Sequence, residues 1–166
     1  MPDISDKIKS FLDKMMRVVP GYSGYADKEN RRNTDKILRL HLASQLAVVK
    51  ATFDGFTAGL TNQPGTLDLM MPANSITKLL EKVIDRLKFA DYGYAGFFDS
   101  PAVMEPQLDA LYQFDLDLSA AIVDIKSKAS VLKPDPAILA AFLEDLRAFD
   151  KRLNARHEAI TNAKTV

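Results

Sequence analysis

Residues 20–60 read PGYSGYADKENRRNTDKILRLHLASQLAVVKATFDGFTAGL, and the fold turns on them. A knot of Gly21, Tyr22, Gly24 and Tyr25 opens into residues 26–36, which hold no aliphatic side chain larger than alanine. That run sets Lys28, Arg31, Arg32 and Lys36 against Asp27, Glu29 and Asp35, and no breaker separates it from the most apolar segment of the chain. The spacing predicts one helix from about Ala26 to Leu60. Leu38, Leu42, Val49, Phe53, Phe56 and Leu60 form one stripe; Ile37, Leu40, Ala43, Ala47, Ala51 and Ala58 form a second. Arg39, Lys50, Asp54 and Thr57 keep only a narrow polar strip, so the helix reads as a central one. At the rise of an α-helix it would be about 50 Å long.

On the N-terminal side, Ile4, Ile8, Phe11, Leu12, Met15, Met16, Val18 and Val19 fall on one half of a helix wheel, and Pro20-Gly21 stops that helix. Such an amphipath suits either a membrane surface or a bundle. Asp3, Asp6 and Asp13 offset Lys7, Lys9, Lys14 and Arg17 on its polar face, which favours the bundle. On the C-terminal side, Gly59 and TNQPGT end the long helix, and LDLMM reads as a loop folded over a bundle end. Asn74 or Ser75 is the expected cap of a third helix carrying Ile76, Leu79, Leu80, Val83, Ile84, Leu87 and Ala90. Pro101 or Pro106 starts a fourth, running to about Leu132. Asp135 as cap and Pro136 at the first helical position start a fifth. The tail 160–166 is expected to fray. No stretch alternates with period two. The expectation is therefore all-α: an up-down bundle of four long helices plus a short N-terminal amphipathic helix (1–19), in one domain over residues 1–166.

A length of 166 residues suffices for a real core, and the absence of cysteine excludes disulfide frameworks, thiolate metal sites and cysteine nucleophiles. The charged N-terminus offers no signal-peptide core, and no window approaches a membrane span. A cytoplasmic protein is expected. Net charge is zero but unevenly spread: residues 89–125 contain seven acids and no Lys, Arg or His, whereas residues 1–50 carry ten bases against six acids. An intramolecular match between the two is the simplest reading.

A second knot, DYGYAGFFD at residues 91–99, echoes the first in this acidic setting. A glycine-rich turn entering a helix can cradle a phosphate, but neither G-x-G-x-x-G nor a P-loop is present, so each knot reads first as a structured corner whose tyrosines plug the bundle end. Interleaved acids argue against a nucleic-acid patch at Arg31, Arg32 and Arg39. Asp115 is the most unusual polar residue, because it lies among Leu108, Leu111, Tyr112, Leu118 and Ile122. A carboxylate there needs a cation, a donor or a proton. Its expected partners are on the long helix, His41 and Arg39 foremost, with another arginine or a tyrosine hydroxyl also open. His41, between Ile37, Leu38 and Val48, reads as a buried polar core residue. No Glu-x-x-His pair supports a dinuclear metal site, no Ser/His/Asp spacing suggests a nucleophile, and neither metal nor cofactor is expected.

The two knots, as PGYSGYADKENRRNTDK and DYGYAGFFD, resemble the signatures of an uncharacterised family of small bacterial all-helical proteins. The resemblance implies a bacterial source and no chemistry. The first functional expectation is a non-enzymatic adaptor or scaffold that binds another protein through the end formed by the two knots. The second is a small-molecule or anion-binding protein, enzymatic or not, with its site between them; the third is peripheral membrane attachment through residues 1–19. The up-down topology brings both knots to one end, where Arg31 or Arg32 is expected to pair with Asp91 or Asp99 among Tyr22, Tyr25, Tyr92 and Tyr94.

Overall fold

The computed structural model describes residues 4–90, 98 and 105–162. Within them the chain is helical with no strand: α1 (Ile4–Val18), α2 (Arg31–Thr61), α3 (Met70–Phe89), α4 (Glu105–Ala129) and α5 (Pro136–Asn162). Asp135 caps α5 as its side chain allows, Oδ1 accepting from the N–H groups of Ala137 (2.8 Å) and Ile138 (3.4 Å).

The fourth helix ends at Ala129, short of the expected Leu132, and three other boundaries differ from expectation, each for a local reason. Asp27 accepts from the Glu29 N–H at 3.1 Å and caps a 3-10 turn over Lys28–Asn30, which delays α2 to Arg31. LDLMM is not a loop: it forms a 3-10 turn (Leu67–Leu69) and the first residues of α3, four to five residues before Asn74 and Ser75. Pro72 is tolerated there because the N–H groups of a first helical turn have no intrahelical acceptor. Leu69 turns inward, while Leu67 and Met71 stay in solvent at 84% and 83% exposure. Finally, α5 continues to Asn162, because Ile160 is buried in the core and holds the turn that was expected to fray.

The helices alternate in direction. Arg39 of α2 reaches the Leu87 carbonyl of α3 while Lys50 reaches Glu81, so α2 and α3 are antiparallel. Arg156 with Asp115 and Lys128 with Asp145 set α4 and α5 antiparallel. Lys126 donates to Gln45, and Asp35 and Asp115 share Arg156, so α2 and α4 run parallel. Lys82 and Arg86 meet Asp150, and α3 lies beside α5. The extended contacts are thus α2 with α3 and α4, and α5 with α3 and α4. Exposed ties of this kind contribute about 0–1 kcal/mol each and mark register more than stability. The core between them includes Phe53 stacked on Phe142 with centroids 6.0 Å apart. Each such side chain contributes about 1.5–3 kcal/mol by leaving water.

α2 proves to be a corner of this square rather than its centre. Its first stripe is buried except for the half-buried Phe56; of its second, only Ala43 is buried and Ile37 half-buried, while Leu40, Ala47, Ala51 and Ala58 face solvent. α1 lies against α4. Met15 and the following Val19 are buried; Phe11 and Leu12 are only half-buried, and Met16 and Val18 stay exposed. No helix among the described residues is long and apolar enough to cross a membrane.

Candidate functional site

Between α1 and α2 the chain reverses at two glycines with left-handed backbone, Gly21 (φ 85°) and Gly24 (φ 81°). Only glycine adopts this conformation at little cost. Gly24 is doubly constrained, since a methyl group there would sit 2.5 Å from Leu12 Cδ2 and 2.8 Å from Tyr112 Oη. The turn drives Tyr22 and Tyr25 inward, and both are fully buried. Three bonds then lock the backbone behind them. The Tyr25 N–H donates to Tyr112 Oη (2.6 Å), Thr34 Oγ1 donates to the Gly24 carbonyl (2.8 Å), and Arg31 Nε donates to the Tyr25 carbonyl (2.8 Å).

Both tyrosine hydroxyls donate to Oδ2 of Asp115, Tyr22 at 2.9 Å and Tyr25 at closer range. Asp115 Oδ1 accepts from Arg156 Nε at 2.8 Å. The same guanidinium donates to Asp35 Oδ1 at 2.8 Å and to Tyr25 Oη at 3.2 Å. Asp35 Oδ2 accepts from Arg39 Nε at 2.8 Å, and Arg39 also donates to the Leu87 carbonyl at 2.8 Å. Asp115, Arg156, Asp35 and Arg39 are all buried, so four charges alternate in sign and cancel inside the bundle. Burial lifts the Asp115 carboxyl above the usual carboxylate range, against the pull of Arg156 and the two tyrosine donors. Burial and the Asp115 charge push the Tyr22 and Tyr25 hydroxyls far above the ordinary phenol value, which keeps both as donors. Burial raises Tyr112 as well.

Asp115 is therefore buried as expected, but its partners are not on α2. Arg156 of α5 and the two tyrosines take that place, because Asp115 faces the corner where α5 meets the turn, while Arg39 lies one turn from Asp35 and binds it instead. Tyr22 and Tyr25, expected at a binding surface, are interior and can only shape one. Arg31 is nearly buried and tied to the turn, and Arg32 is exposed. His41 is half-buried and outside the network; burial and the nearby Lys126 lower its pKa. Asp91, Tyr92, Tyr94 and Asp99 lie outside the described residues, and with them the expected pairing to Arg31 or Arg32. Phe98, the one described residue of the second knot, is buried and stacks on Tyr25 with centroids 6.1 Å apart and planes 9° from parallel.

Sequence reasoning missed Arg156, although the signal was there: it follows Leu153 by three residues and precedes Ile160 by four, on the apolar stripe of α5. Asp35 likewise stands three residues before Leu38 on the buried stripe of α2.

Beside the network, at the same end, a cavity of about 430 Å³ opens between α2, α3 and α5. Arg39 forms part of its wall, with Leu87, Phe89 and Leu153 as apolar lining and Arg86 and His157 as polar lining. Phe89 stands there 72% exposed. Among the described residues no group of three His, Asp or Glu side chains is placed to hold a metal. Comparison with known proteins finds no match: no family model, no curated protein and no solved structure is similar to this chain.

Proposed function

We propose that this chain is a non-enzymatic helical-bundle adaptor that binds another protein at the Gly/Tyr end. The observation that carries the reading is the cavity beside the network, with Phe89 exposed at its edge and arginine in its wall. Aromatic and arginine side chains around a concave apolar surface are the chemistry of interface hot spots. The buried network supports the same reading from behind. Tyr22, Tyr25, Asp115, Arg156, Asp35 and Arg39 are joined by hydrogen bonds, and Arg39 reaches the Leu87 carbonyl, which holds the ends of α2, α3 and α5 in fixed relation and favours a preformed surface in front of them. A small-molecule ligand is the second reading, favoured by the cavity volume, which falls in the range of about 300–1,000 Å³ common for ligand sites.

The test places a photo-cross-linking amino acid at position 89 in the native cell, and at position 131, at the other end of the bundle, as control. The expected result is one protein captured from position 89 alone. That protein, purified, should then bind the chain and lose at least about tenfold in affinity with Phe89→Asp, at unchanged melting temperature. Equal capture from both positions, or undiminished binding by Phe89→Asp, overturns the reading. A small molecule that survives in native mass spectra of the chain and is lost with Phe89→Asp decides for the second.

A further inference from the structure

The exposed face of α2 is self-complementary about residue 45, and we infer that two copies of this chain pair antiparallel through it. Leu40 stands on that face 44% exposed, and Val48, 45% exposed, lies beside it about 80° further round the helix. Lys36 is exposed, and eighteen residues, or five helical turns, beyond it lies Asp54 at the same angular position. In a copy turned end for end about residue 45, Lys36 of each chain meets Asp54 of the other. Asp54 already holds Lys50 at 2.8 Å, and Lys50 lies 3.7 Å from Glu81, so the incoming Lys36 extends a row of alternating charges. The same rotation sets Leu40 over the space bounded by Ala47, Lys50, Ala51 and Asp54, the four-residue hole into which a knob packs. Beyond it Gly55 offers open space, for a methyl group built there meets no atom within 4 Å. A bulky residue in one half of the face thus meets small ones in the other, and a cation meets an anion. That relation, in which i meets j and j meets i, is what a two-fold axis requires, and it singles out a second copy over an unrelated helix. Antiparallel helices also place opposite dipole ends together.

A single helix pair is a small interface, so the dimer should dissociate between about 100 µM and about 1 µM in sedimentation velocity. Lys36→Glu and Asp54→Lys should each leave a monomer at the upper concentration, and the double variant should dimerise again. Because the natural chain has no cysteine, mild oxidation of an equal mixture of Lys36→Cys and Asp54→Cys chains reads the register directly. The mixed disulfide should exceed either homodimer several-fold. A wild-type monomer at 100 µM, a dimer indifferent to both charge reversals, or homodimers as the main cross-linked product overturns the proposal. Circular dichroism melts of each variant separate failed folding from failed pairing.

Discussion

Replacing Arg156 by methionine tests the interior of this bundle most sharply. The change keeps the apolar stem and removes donors to Asp115 Oδ1, Asp35 Oδ1 and Tyr25 Oη at once. Asp115 retains two tyrosine donors and Asp35 retains Arg39, but these four buried groups pass from neutral to one net negative charge. Breaking a buried pair from one side costs about 3–5 kcal/mol, against a total stability of about 5–15 kcal/mol for a domain. For a chain of this length that is a drop in Tm of roughly 6–20 °C. Urea unfolding at pH 7, followed by circular dichroism, gives the free energy. Repetition toward pH 4 should show the deficit shrinking, because Asp115, whose carboxyl burial already lifts above its ordinary value, no longer needs the guanidinium once protonated. Asp115→Leu should cost less than Arg156→Met, since Arg156 keeps Asp35, and the double variant should lose less than the sum by about 0.5–3 kcal/mol. A loss below about 1 kcal/mol for Arg156→Met, or strict additivity with Asp115→Leu, would refute the reasoning.

Other outcomes follow from the same geometry. Gly24→Ala should destabilise by about 1–3 kcal/mol in urea titration, because its φ of 81° is strained for alanine and the new methyl overlaps Leu12 and Tyr112. A chain lacking residues 1–19 loses the buried Met15 and Val19 and should melt earlier and bind a hydrophobic dye; an unchanged melt would mean α1 does not stabilise the bundle. His41 has a lowered pKa, so the folded state takes up its proton less readily than the unfolded chain. Stability should therefore fall as pH drops below 6.5, and His41→Gln should remove that part of the fall in acid titrations.

The helical architecture was legible because apolar periodicity is long and regular in this chain. Leu38, Leu42, Val49 and Phe53 declare one face of α2, and Asp135-Pro136 declares the start of α5. Periodicity counts apolar faces, however, and does not say what covers them. The second stripe of α2 is made largely of alanine, which costs little to expose, so a helix apolar on two sides became a corner. The start of α3 was misread because a first turn tolerates Pro72 and needs no polar cap when Leu69 anchors it. At the candidate site Asp115 announced itself as a charge on an apolar face, and Arg156 and Asp35 carried the same signal. Which of them meet depends on how α5 packs beside α4, a tertiary fact with no local trace. The tyrosines of the first knot were visible, but their inward direction follows from positive φ at Gly21 and Gly24, which the sequence permits without specifying.

The claim on which the rest depends is that Tyr22 and Tyr25 are interior donors to Asp115 rather than surface groups, and alkaline titration of tyrosine absorbance at 295 nm tests it directly. Both phenols have folded pKa values above the ordinary value of 10.0, so the unfolded chain releases their protons first and stability must fall as pH rises past 10. Two fully retained protons give a slope of about 2.7 kcal/mol per pH unit, and Tyr22→Phe with Tyr25→Phe should remove that part of the fall, leaving the contribution of Tyr112. In the folded protein the double variant should titrate with the same amplitude as the wild type up to the point of unfolding. Its jump in absorbance on unfolding should be smaller by two tyrosinates. If the double variant instead loses tyrosinate signal from the folded protein near pH 10, the two hydroxyls reach solvent and the buried network does not exist.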